Sequence, residues 1–157
     1  MTRVTARRFA GGFVILCALH APRVLGAQLE IGTWVRQSAA SDPPGTLTMT
    51  VEACCGGGRR LTYHIVGRSD FLLTVETPMD GSEVPVMAGG KPSGETMAIT
   101  RVDAHHAVTV LKMNGKPFGT SKATLSSDGN TLTIENDYTS DVGNQPVGKQ
   151  KETWVRK

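Results

Sequence analysis

Arg101 is the side chain with the most to offer a ligand. It shares parity with Met97 and Ile99, so one continuous strand turns its cation toward the face that carries two apolar residues. There a ligand carboxylate can satisfy the guanidinium by a charge-assisted pair. The competing expectation is that Arg101 ends its strand and reaches solvent, or pairs with Asp103 or Glu95. By the same parity Leu61, Tyr63 and Ile65, Val108 and Val110, and Leu132, Ile134 and Tyr138 are candidates to line one interior. The candidate ligand-binding set is therefore Tyr63, Met97, Ile99, Arg101 and Tyr138.

Cys54-Cys55-Gly56-Gly57-Gly58 is the other unusual segment. Neighbouring Cα atoms sit about 3.8 Å apart, below the usual disulfide range of ~4.4–6.8 Å, so a bond between the two cysteines is disfavoured. On a regular strand their side chains point to opposite faces. One thiol is then free to link two copies, and the expected partner is a disulfide-bonded dimer through Cys54 or Cys55. His64, His105 and His106 could join a metal site, but no Cys-x-x-Cys or spaced His motif is present, so neither metal nor cofactor is expected. The triple glycine reads as a wide hairpin turn. His105-His106 reads as part of another.

Catalytic signatures are absent: there is no Gly-x-Ser-x-Gly elbow, no His-Glu-x-x-His and no Gly-x-Gly-x-x-Gly. Glu76, Asp80 and Glu83 lie close in sequence, but nothing places them across a common cleft. The chain reads as a binder or a structural module and not as an enzyme.

Residues 1–27 form the three parts of a secretory signal, with Arg3, Arg7 and Arg8, then an apolar run from Phe9 to Leu19, then small residues ending at Ala27. An exported protein, periplasmic or extracellular, is expected. The apolar run is shorter than the roughly 20 residues a membrane span needs. Cleavage after Ala27 removes four arginines and no acid, which takes 17 basic residues to 13 against 14 acids and turns a net charge of +3 into about −1. No basic stripe remains, so nucleic acid is not an expected partner. Residues 28–157 suffice for one domain.

The elements that must position these side chains are strands. β-branched residues and alternation mark ten runs: Thr33 to Arg36, Thr46 to Ala53, Arg60 to Val66, Phe71 to Thr77, Glu83 to Met87, Glu95 to Val102, Ala107 to Met113, Pro117 to Leu125, Thr131 to Tyr138 and Lys151 to Arg156. Asp80-Gly81, Asn114-Gly115 and Asp128-Gly129 supply hairpin turns between them. Pro43-Pro44-Gly45 and Pro92-Ser93-Gly94 read as loops. With short aromatic strands at both ends and no helical periodicity, the simplest architecture is all-β, a single closed or nearly closed antiparallel up-and-down barrel of about eight to ten strands.

Several segments in order, Gly32-Thr33-Trp34, Asp80 to Val86, Thr100 to Asp103, Asn114 to Lys116, Ser126 to Ile134 and Trp154-Val155-Arg156, make the chain resemble small exported bacterial lipocalin-like proteins. In the wider calycin superfamily an N-terminal Gly-x-Trp strand seats its indole beneath an Arg from near the C-terminus. That resemblance implies Trp34 and Arg156 as a structural pair. It also implies a carrier or sensor that holds a small apolar molecule, acidic or not, inside the barrel. The alternative is a solid-cored structural or interaction module of the cell envelope.

Overall fold

The computed structural model describes residues 30–37, 46–70, 72–141 and 146–157. The signal-like segment 1–27, Pro43-Pro44-Gly45 and Phe71 lie outside the described residues. Ten strands follow one another: β1 (Gly32–Arg36), β2 (Leu47–Cys54), β3 (Gly58–Ile65), β4 (Leu72–Thr77), β5 (Asp80–Ala88), β6 (Lys91–Arg101), β7 (His106–Met113), β8 (Lys116–Leu125), β9 (Thr131–Tyr138) and β10 (Gly148–Arg156). Each pairs antiparallel with its neighbours in sequence, and β1 pairs with β10 to close the barrel. Closure removes every sheet edge. At the seam Trp34 stands opposite Arg156 and Arg36 opposite Trp154. The ladder extends through Gln37 N to Thr153 O at 2.8 Å and Lys157 N to Thr33 O at 2.9 Å.

Inward residues pack into two apolar groups. Trp34, Met49, Val51, Leu125 and Trp154 form one. Leu111, Phe118 and Tyr138 form the other, with Phe118 and Tyr138 stacked at 6.2 Å between ring centroids. Between them the barrel is not filled.

Three expectations about turns and faces are corrected. Asp80-Gly81 does not connect β4 to β5. Pro78-Met79 does, with Met79 at φ 65 and its amide donating to Thr77 Oγ1 at 3.0 Å. The Asp-Gly pair instead builds a bulge at the start of β5, where Ser82 N donates to Asp80 Oδ1. Pro92-Ser93-Gly94 is not a loop but part of β6, and the turn before it is Gly89-Gly90, both at positive φ. Pro92 is tolerated because the β5–β6 register shifts between Pro85 and Met87, and Ser93 Oγ donates to Val86 O at 2.9 Å across the irregularity. On β7 the inward face carries Thr109 and Leu111, not Val108 and Val110. Register decides this: Leu111 stands opposite Met97 and Thr109 opposite Ile99, and directly paired residues share a face.

The cysteines also depart from expectation. Cys54 and Cys55 are bonded to each other, with Cα atoms 3.8 Å apart. Cys55 leaves the strand at φ 53, so the two side chains are no longer held on opposite faces. Neither thiol is left to join a second copy, and the disulfide-linked dimer has no support. Just beyond, Gly58 lies against β4 so closely that an added Cβ would stand 2.2 Å from Thr77 O and 2.9 Å from Pro78 Cα. Backbone cannot step aside as a flexible side chain can. Gly58→Ala is expected to cost about 1–3 kcal/mol in chemical denaturation as an overpacking change. An unchanged midpoint would show that β3 and β4 can part freely here.

Candidate functional site

The barrel encloses a cavity of about 460 Å³, within the range of small-molecule sites. Its middle is apolar, walled by Met49, Leu61, Met97, Ile99, Leu111 and Ile134. Period-2 alternation on each strand delivers these side chains inward. Tyr63, Met97, Ile99, Arg101 and Tyr138, the five residues singled out from sequence, all line it. Leu61, Leu132 and Ile134 line it as well.

Polar groups gather toward the two ends. At the end where β1 begins and β10 finishes, Arg101 closes β6 and pairs with Glu30, not with Asp103 or Glu95 as the sequence suggested. Arg59, on the inward face of β3, donates from Nε to the same Glu30 oxygen at 2.8 Å and from Nη1 to Gly58 O at 2.7 Å. Only 1% of Arg59 is exposed, so its cation depends on protein partners and not on water.

Nearby, Arg156 Cζ lies 4.5 Å above the Trp34 ring. Its Nε donates to Gly129 O at 2.9 Å and its Nη1 to Ile31 O at 2.7 Å. A Cβ at Gly32 would stand 2.5 Å from Arg156 Nη1, so the glycine of the Gly-x-Trp segment makes room for the guanidinium.

Toward the opposite end a chain of hydrogen bonds crosses three strands. Ser121 Oγ donates to Asn136 Oδ1 at 2.6 Å, Asn136 Nδ2 to Glu152 Oε1 at 3.3 Å, and Trp154 Nε1 to Glu152 Oε2 at 3.1 Å. Arg36 stands 3.7 Å from the same carboxylate. Tyr63 meets Trp154 edge-on at 6.1 Å between centroids. Burial, with the negative charges of Glu152 and Glu95 behind it, pushes the Tyr138 phenol up to about 12 and raises that of Tyr63 further. Both rings therefore remain neutral hydroxyl groups that a guest can meet.

Burial also raises the Glu95 pKa above the usual carboxylate range. Its ionised form is penalised in the folded protein, so this residue subtracts stability as pH rises through the usual carboxylate range to the raised value, and fully beyond it. Glu95→Gln is expected to melt at a higher temperature than the parent at neutral pH. The gap should close below the ordinary glutamate value of about 4.3. A gap that widens in acid would reverse the assignment.

Sequence reasoning missed Arg59, Glu95, Asn136 and Glu152, although parity was available for each. Arg59 alternates with Leu61, Glu95 with Met97, Asn136 with Ile134 and Glu152 with Trp154. Glu30 precedes β1 and carried no signal. Among the described residues no group of His, Cys, Asp and Glu could hold a metal ion, and no helix is long and apolar enough to cross a membrane.

No family model and no curated protein matches the chain. Solved structures of similar shape include the fluorescent protein UnaG. One of its point variants aligns with a TM-score of 0.60 at 13% identity, covering 83% of this chain and 97% of that one. The wild type aligns with a TM-score of 0.57 at 14% identity, covering 81% and 96%. At such identities the likeness is one of fold: the chain builds a closed, ten-stranded, antiparallel up-and-down barrel.

Proposed function

We propose that the protein is an exported carrier or sensor that holds one small, mostly apolar molecule inside the barrel. The observation that carries this reading is the cavity of about 460 Å³, with an apolar waist and a few convergent polar groups at its ends. Apolar walls reward transfer of a guest out of water, and the polar groups orient it. A solid-cored module, the other reading of the sequence, would fill this space with side chains. The basic, apolar and small-residue order of segment 1–27 supports export.

Native mass spectrometry of protein purified from its own host, joined to titration with a neutral environment-sensitive dye, tests the binding reading. One retained small molecule or one saturable dye site per chain is expected. The absence of both a retained mass and saturation would overturn it.

A further inference from the structure

Glu30 stands two residues before β1 and sends its carboxylate into the cavity end. Its Oε1 accepts from Arg59 Nε at 2.8 Å and from Arg101 Nη2, and Arg59 Nη2 lies 2.8 Å from the same oxygen in an ion pair. Three nitrogens of two guanidiniums converge on one oxygen, while no hydrogen bond among the described residues reaches Oε2. One negative charge thus faces two positive ones. Asp103 also lines this end, but its Oδ1 is engaged by the amides of His105 and His106 at 2.7 and 2.8 Å.

The two arginines are not equivalent. Arg59 spends Nη1 on the carbonyls of Gly57 and Gly58 and is sealed in place. Arg101 keeps about a third of its side chain accessible, and among the described residues Glu30 is the sole side-chain partner of its guanidinium. A planar fork with unused donors at the end of an apolar cavity is suited to a carboxylate. Glu30 comes from outside the sheet ladders, from the segment ahead of the first strand.

We propose that Arg59 and Arg101 form a receptor for the head group of an apolar monocarboxylate, and that Glu30 occupies this receptor as an internal stand-in when no guest is bound. This deepens the binding reading above and rests on it. A guest's carboxylate takes the Arg101 side and Glu30 withdraws, so one anion replaces another and the charge of the site is unchanged. Occupation by Glu30 lowers the apparent affinity for an acid by the fraction of molecules in which the receptor is free. Weakening that occupation raises the affinity.

The test compares dodecanoate with dodecanol, equal chains that differ in the head group, by competition against the neutral dye. The parent protein should prefer the acid. Glu30→Gln should bind dodecanoate about tenfold more tightly, because its competitor has lost its charge, with dodecanol unchanged. Arg101→Met should lose the preference and keep dodecanol. An acid preference that is the same in all three proteins overturns the proposal while leaving the carrier reading intact. Failure of both probes to bind the parent overturns the carrier reading and this proposal with it. Should Arg101→Met not fold, the Glu30→Gln comparison decides alone.

Discussion

Trp34→Ala is expected to lower the free energy of unfolding by about 3–5 kcal/mol, as a buried aromatic truncation. Trp34 has no exposed surface and anchors the larger apolar group of the interior. Two further losses come with the ring. Its Nε1 donates to Glu30 O at 2.9 Å, and its face receives the Arg156 guanidinium. The cation–π contact adds roughly 0.5–2 kcal/mol according to how dry the pair is. Because Arg156 keeps its bonds to the Ile31 and Gly129 carbonyls, its charge is not stranded by the substitution. Chemical denaturation at fixed pH measures the effect, and a loss below about 1 kcal/mol would contradict the burial of the indole.

Filling the interior should act on binding and not on folding. Thr109 and Ala123 line the cavity from adjacent strands, β7 and β8, with Thr109 opposite Ser121 and Ala107 opposite Ala123. Neither side chain is large. The double variant Thr109→Trp with Ala123→Phe places two rings in unoccupied space, where new contacts add dispersion attraction instead of the strain met in a packed core. Dye affinity is expected to fall by at least about a hundredfold, equivalent to ~2.7 kcal/mol, with the melting temperature held or raised. Undiminished affinity in a folded double variant would place the binding surface outside the barrel.

The strands were legible because alternation is a local property. Thr131-Leu132-Thr133-Ile134-Glu135 declares a half-buried strand by itself, and the order of ten such runs with aromatic ends suggested closure. What could not be read is what depends on register or on contacts distant in sequence. β7 has apolar residues on both faces, and only pairing with β6 shows that Leu111 and not Val110 turns inward. Asp80-Gly81 has the composition of a turn, but Met79 takes the positive φ one residue earlier and moves the corner. The Arg101 partner was sought among Asp103 and Glu95, its neighbours in sequence. Glu30 lies 71 positions away and meets Arg101 only because the barrel closes.

Closure also sets an order of events. Arg156 bonds the carbonyl of Ile31 across 125 positions, and β1 has no second neighbour until β10 exists. A nascent chain released from its N-terminus onward therefore carries an open strand through nearly all of its synthesis, and contacts of such sequence separation are slow to form. During that interval the polypeptide is threadable and also vulnerable to sticking to its siblings. The final nine residues of sheet work as a latch, and a molecule truncated before them keeps two adhesive rims where the finished one has none.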